Sequence, residues 1–218
     1  MAGTLTQPIQ ASTSPSTPTV NKAVEFISTD IDPLGLIAIK RSDGSVVNMS
    51  VPAVVSILSA GQAISAAAAT LITGSVISLP SAAFQVGTTF RWTIVATKGA
   101  VGTAARTFNI RIGTTGTVSD AVVAAITSAA GTAVGDAGIF TITMTVVSLG
   151  AAAAAICQFW MTHNLEATGW STTTSQVVVA TMSTFNSTVA TQFVSASITT
   201  GAAETATINS CMLEILKP

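Results

Sequence analysis

Charge is what this chain has least of. Among 218 residues there are eight Lys or Arg and nine Asp or Glu, so 8% carry charge, against about 25% in ordinary soluble domains. The net charge of −1 gives no general field for gathering a polyanion, so binding to nucleic acid is not expected. It also leaves little to keep a bare surface in solution. Much of that surface is therefore expected to be covered by other copies or by a larger assembly. Tyr is absent and aromatic residues total 5%, which is poor material for the girdles of an outer-membrane barrel. The two cysteines, Cys157 and Cys211, are far apart in sequence and form no CxxC motif. They read as buried free thiols rather than a disulfide or metal pair. The start, MAGTLTQPIQASTSPSTPTV, has neither a basic segment nor an apolar core of the secretory kind, which implies synthesis and assembly in a cytoplasm.

Apolar residues are plentiful, at 49%, and mean hydropathy is +0.65. Ala137 to Thr162 is uncharged and long enough to cross a bilayer. Yet Phe140, Ile142, Met144 and Val146 alternate with Thr141, Thr143, Thr145 and Val147. That is the period of a strand, and no membrane insertion is expected.

Three segments are expected. Residues 1–22, rich in Ser, Thr and Pro, read as an extended anchoring arm that alone in water has too little apolar surface to fold. Residues 23–65 read as a small attachment unit. In it LGLIAIK (Leu34–Lys40) and SVVNMS (Ser45–Ser50) flank a tight turn at Asp43-Gly44, and VPAVVSILSAG (Val51–Gly61) forms a short helix with Pro52 in its first turn. Residues 66–218 read as eight strands joined by Gly-, Ser- and Thr-rich turns, with one inserted helix over TVSDAVVAAITSAAG. The expected fold class is all-β, an antiparallel jelly-roll-like β-sandwich.

The stretch FRWTIVATKGAVGTAARTFNIRIG (Phe90–Gly113) holds Arg91, Lys98, Arg106 and Arg111, half the chain's Lys and Arg. The three arginines are read on the polar side of two neighbouring strands and Lys98 in a hairpin loop between them. The arginines are expected to pair with Asp120, Asp136 or Glu204, with Arg91 and Arg111 as subunit-interface candidates. The last strand, ETATINSCMLEILKP, is apolar on both faces. A sandwich strand buried on both sides means that its outer face meets another body. Ile208, Met212, Leu213, Ile215 and Leu216 are therefore interface candidates, in a homotrimer packed around an axis.

Signals for chemistry are sparse. A Ser-His-Asp triad would need His163 as its base, and no GxSxG elbow is present. A zinc site would need Cys157, His163, Cys211 and Glu166, in a spacing that matches no ligand pattern. The acidic residues are scattered, with no carboxylate pair for glycoside hydrolysis. No catalytic residue, metal or cofactor is assigned. Trp160 and Trp170, flanking MTHNLEATG, are candidates for stacking on a sugar ring.

GTTFRWTIVATKGAVGTAARTFNIRIGTTG (Gly87–Gly116) and INSCMLEILKP (Ile208–Pro218), behind a Ser/Thr/Pro arm and a small β unit, resemble the virion surface proteins of tailed bacteriophages. The resemblance covers roughly residues 70–218. It implies an outward-pointing jelly roll like those of tumour-necrosis-factor-like trimers and no catalytic residues. The expected function is a non-enzymatic structural protein at the virion surface: a homotrimeric capsid decoration or head-fibre protein. It would be held to a major capsid protein, or to a tail protein, through residues 1–65. The alternatives are a short tail fibre that contacts host surface glycans and, more remotely, a jelly-roll carbohydrate-active enzyme.

Overall fold

In the computed structural model the described residues are 24–27, 37–40, 46–48, 53–58, 61–65, 67–80, 83–128, 131–165, 168–173 and 175–216. The chain divides into two compact units, 1–51 and 52–218. The first contains an antiparallel meander of β1 (Val24–Ile27), β2 (Ile37–Lys40) and β3 (Val46–Asn48). The expected arm over 1–22 and the Asp43-Gly44 turn lie outside the described residues.

The second unit is a sandwich of two antiparallel sheets. One contains β13 (Ser175–Thr181), β12 (Ala155–His163), β11 (Ala137–Val146), β8 (Thr89–Lys98) and β15 (Ala206–Leu216), in that order. It is completed by β4 (Ala53–Leu58) and β5 (Gln62–Ile64), which pair with opposite ends of β15. The other runs β10 (Ala121–Ser128), β9 (Arg106–Gly113), β14 (Thr191–Thr199), with β6 (Ala69–Leu71) and β7 (Ile77–Pro80) along the far side of β14. The pairing is nested. The first strands, β4 and β5, pair with the last, β15. Next inward, β6 and β7 pair with β14, β8 pairs with β11, and β9 pairs with β10. A chain doubled on itself in this way and then wrapped is a jelly roll. The β12–β13 hairpin widens one sheet by two strands.

Both expected helices are strands. Ala53–Leu58 is β4, paired with Cys211–Ile215 of β15. Residues 53–64 therefore belong to the sandwich, and the unit boundary falls at 51/52 instead of 65/66. The second helix is β10, paired with β9 across a bulge between Val122 and Ala124. The bulge buries both Val123 and Ala124, which breaks the two-residue alternation and makes a strand look aperiodic. In both cases β-branched residues met a sheet edge in need of a partner, and tertiary pairing overrode local helical pattern.

Inward side chains form two aromatic groups. Phe108, Phe140 and Phe159 lie with centroids 4.8 to 6.3 Å apart, and Trp170 meets Phe140 edge-on at 5.0 Å. Phe84, Phe90, Trp92 and Phe185 form the second. Ser75 ties the break between β6 and β7 to β14, its hydroxyl within 2.6 Å of the Ile72 carbonyl and 2.8 Å of the Ala196 carbonyl. Phe140→Ala is expected to cost about 3–5 kcal/mol in denaturant unfolding. Val122→Ala, on the exposed side of β10, should stay within about 0.5 kcal/mol.

Candidate functional site

Two features stand out: a buried group of charges at one end of the sandwich, and the outer face of the seven-stranded sheet. The first holds half of the charged side chains described in the sandwich. Eight Asp, Glu, Lys and Arg side chains fall in the described part of the sandwich: Arg91, Lys98, Arg106, Arg111, Asp120, Asp136, Glu204 and Glu214. All but Arg91 are buried.

Lys98 ends β8, Arg106 opens β9, Asp136 precedes β11, His163 ends β12 and Glu204 precedes β15, so all five meet at one end. Lys98 donates to the carbonyls of Ala100 (2.9 Å) and Gly102 (3.0 Å). Its parity along β8 is that of Phe90, Trp92 and Ile94, so it points inward. The segment after it crosses from one sheet to the other and is not a hairpin loop. Arg106 likewise has the parity of Phe108 and Ile110 and faces the interior, on a strand in the opposite sheet from β8. It donates to the Trp170 carbonyl and stacks on the Trp170 ring at 4.4 Å. Its Nε lies 2.9 Å from Glu204 Oε1 with both side chains inaccessible. The N–H direction misses the oxygen, so neither atom is satisfied as a hydrogen bond and Glu204 Oε2 also lacks a donor. The contact is Coulombic. Burial pushes Arg106 and Lys98 below their ordinary pKa values and Glu204 above its own, against the pull of opposite charges.

Asp136 organises the loop over this end. Its Oδ1 accepts from the Asn164 and Leu165 amides at 3.0 and 2.8 Å. Its Oδ2 accepts from the Trp170 amide at 2.6 Å and lies 2.7 Å from His163 Nδ1. Burial pushes the Asp136 carboxyl up, but these hydrogen bonds outweigh it and the net direction is down. The other ring nitrogen of His163, Nε2, lies 2.7 Å from the Thr173 carbonyl, and a carbonyl can only accept. Nε2 is therefore the donor in that contact, with no lone pair aimed at a nucleophile, and the Asp-His pair fastens a loop.

Arg111 is also enclosed. Nε donates to Ser197 Oγ at 2.8 Å, and Nη1 donates to the carbonyls of Val118 (2.6 Å) and Asp120 (2.8 Å). The Asp120 carboxylate accepts from Thr115 and Gly116 of the same loop. Arg111 thus holds its own β9–β10 loop and is removed from the interface candidates. Of the expected ion-pair partners, Glu204 pairs with Arg106, Asp120 meets Arg111 only through its backbone, and Arg91 pairs with Glu214 at 2.8 Å.

The outer face of the seven-stranded sheet is nearly free of charge. Register sets its side chains in rows across the strands. One row runs Ser210, Val95, Ile139, Thr162. The next runs Met212, Thr93, Thr141, Trp160, Val177, and a third Glu214, Arg91, Thr143, Gln158, Val179. Arg91–Glu214 is the charged pair on these rows, and it neutralises itself. Trp160 is 40% exposed, Ile139 49%, Val177 64% and Val179 66%. Where the face reaches the charged end there is an open depression of about 340 Å³, lined by Val95, Ala137, Gly138, Ile139, Thr162, His163 and Asn164.

The candidates from β15 divide. A bulge between Ile208 and Ser210 puts Ile208 on the same side as Cys211, Leu213 and Ile215, and all four are buried in the sandwich. That removes Ile208, Leu213 and Ile215 from the outer face and leaves Met212 and Leu216 half-buried on it. Trp170 is wholly buried and is removed as a sugar contact, whereas Trp160 stands on the outer face. Cys157 and Cys211 are free and buried, their thiols pushed up to about 12 by burial. Their strands are three positions apart, about 14 Å at ordinary strand spacing, beyond disulfide reach. Among the described residues no three His, Cys, Asp or Glu side chains converge as metal ligands, and Glu166 lies outside them. No helix of the described chain is long and apolar enough to cross a membrane. No family model matches the chain, and no curated protein matches it.

Breaking the Arg106–Glu204 pair from one side strands a buried charge. Glu204→Gln should therefore cost about 3–5 kcal/mol, while the double change Arg106→Met/Glu204→Met should cost less than Glu204→Gln alone. Denaturant unfolding of the three proteins checks this. Asp136 and Asp120 have depressed pKa values in the fold, so their contribution is complete above the unfolded value of about 3.9 and is lost as pH falls through the folded values. Glu204, raised, has the opposite sign: its contribution is present at low pH and lost as pH rises through its folded value. Melting temperature should fall on acidification below about pH 4, and Asp136→Asn should flatten that limb.

Proposed function

We propose that this chain is a non-enzymatic structural protein of a phage virion, a homotrimeric capsid decoration or head-fibre protein attached through its N-terminal region. The observation that carries the reading is where the charges are. A sandwich that buries seven of its eight described Asp, Glu, Lys and Arg side chains keeps almost none on its surface to hold it apart from other copies in water. The outer face of its larger sheet matches that economy. Rows of Thr, Val, Ile, Met and Trp, interrupted by one self-neutralised ion pair, form a surface that can meet copies of itself without like-charge repulsion. Five strands by about eight residues give roughly 24 Å by 27 Å, about 650 Å². That approaches the ~800 Å² per partner of a stable protein interface. Arg91, Met212 and Leu216 contribute to it from β8 and β15, and the depression beside Val95 and Ile139 can receive a side chain of a neighbour. The buried charged end completes the reading: its groups clamp loops and cross-link the two sheets, as a rigid body requires. Trimerisation would present three N-terminal segments together, so each attachment would raise the effective concentration of the next.

Two measurements test the reading. The full chain in solution should form threefold units of its 21.9 kDa mass, and Met212→Glu with Ile139→Glu should remove the threefold species while leaving the thermal unfolding of the sandwich intact. A monomeric wild-type protein at tens of micromolar would contradict the assembly. The gene should lie among capsid and head-assembly genes. A place among metabolic genes would overturn the virion reading.

A further inference from the structure

The four sides of the two sheets are not guarded alike. A sheet edge presents unpaired backbone donors and acceptors, and folded proteins blunt it with short strands, Pro, bulges or charges. The five-stranded sheet ends on one side at β10, which carries a bulge between Val122 and Ala124. On the other side it ends at β6 and β7, of three and four residues, the latter closing on Pro80. The seven-stranded sheet ends on one side at β4 and β5, split along β15 with register shifts in that strand. Its other side is β13, SQVVVAT, seven residues long. β13 follows β12 with no register shift and has no charge, Pro or Gly. β10 approaches from the other sheet, but the hydrogen bond there, from the Ser183 amide to the Val123 carbonyl at 2.8 Å, lies beyond the end of β13. Among the described residues β13 pairs with β12 alone. Val177 and Val179, on its outer side, are among the most exposed apolar side chains of the sandwich.

We infer that β13 is a second contact between copies of this chain, in which two β13 strands pair antiparallel across a twofold axis at Val178. The sequence of the strand fits itself in that register. Val178 faces Val178 of the second copy, Val177 faces its Val179, and Gln176 faces its Ala180. No like charges meet, and β-branched pairs stand opposite each other on the outer side. Trp160 lies beside Val177 within each copy, so the joined sheets carry one apolar strip across the axis. Such a contact is isologous and therefore differs from any contact around a threefold axis. It joins trimers or stands without them.

Register makes the inference testable. Directly opposed residues in an antiparallel pair have Cα atoms about 4.5–5.5 Å apart, inside the disulfide range of about 4.4–6.8 Å. Val177 and its own copy across the axis are diagonal, about 7–8 Å apart, and do not bridge. Full-length Val177→Cys and Val179→Cys proteins, mixed and mildly oxidised, should form a disulfide-linked heterodimer. Each alone should form several-fold less linked dimer. The native Cys157 and Cys211, both buried, leave the wild type as an unlinked control. No linkage in the mixture, or equal linkage in the single variants, overturns the inference. So does pairing of β13 with an extended segment of another protein in place of a second copy. The linkage should persist when Met212→Glu is added to both proteins, which separates this edge from the face that would build the trimer. As a second reading, Val177→Lys with Val179→Lys, added to the Met212→Glu protein in which the trimer face is already broken, sets lysines opposite one another at the axis. It should abolish any twofold species in sedimentation with the melting temperature unchanged; persistence of that species overturns the inference.

Discussion

The structure depends on the placement of a few charges inside. Asp136, Glu204, Arg106, Lys98 and His163 close one end of the sandwich, and between them they touch the ends or approaches of β8, β9, β11, β12 and β15. Burying them carries a desolvation penalty that an ion pair alone does not repay. The repayment is structural. Asp136 accepts from three backbone amides and fixes the loop that carries Trp170. Trp170 then packs on Phe140 and under Arg106. About two thirds of this jelly roll is Ala, Thr, Ser, Val and Gly, and its large aromatic side chains are gathered in two interior groups. Charged and hydrogen-bonded groups lock this end.

The same placement strips the exterior. With Lys98, Arg106, Arg111, Asp120, Asp136, Glu204 and Glu214 enclosed, little ionic surface remains in the described sandwich. The outer face of the seven-stranded sheet has the composition of an interface, and its one ion pair neutralises itself. Interior charge and exterior neutrality are two sides of one allocation in a chain with so few charged residues, and they tie the stability of the unit to its proposed use as a building block.

Much of this was legible in the sequence, and the failures are instructive. Strict alternation marks β8 and β9 almost to the residue and β11 to within two residues at each end, because one face of each lies against the core. The inward position of Lys98 and Arg106 is legible as well: both share the parity of the large apolar residues on their strands, and that parity outweighs their charge. Bulges hid more. In β10 the bulge erased the alternation and left an apparent helix, and in β15 it moved Ile208 across the strand. The clustering of Asp136 with His163 and Trp170 has no local signal, since it depends on the approach to β11, the end of β12 and the β12–β13 loop coming together. The nested pairing of first and last strands is equally non-local.

The central claim is that the outer face of the seven-stranded sheet is covered in the protein's working state. Hydroxyl-radical footprinting of the full-length protein at tens of micromolar tests it directly. Trp160 and Met212 lie on that face, while Trp170 and Met144 are enclosed in the sandwich and serve as internal references. The account predicts that Trp160 and Met212 oxidise nearly as slowly as Trp170 and Met144, and that they become reactive on dilution. Oxidation of Trp160 and Met212 at solvent-exposed rates, unchanged with concentration, would show a bare face and contradict it.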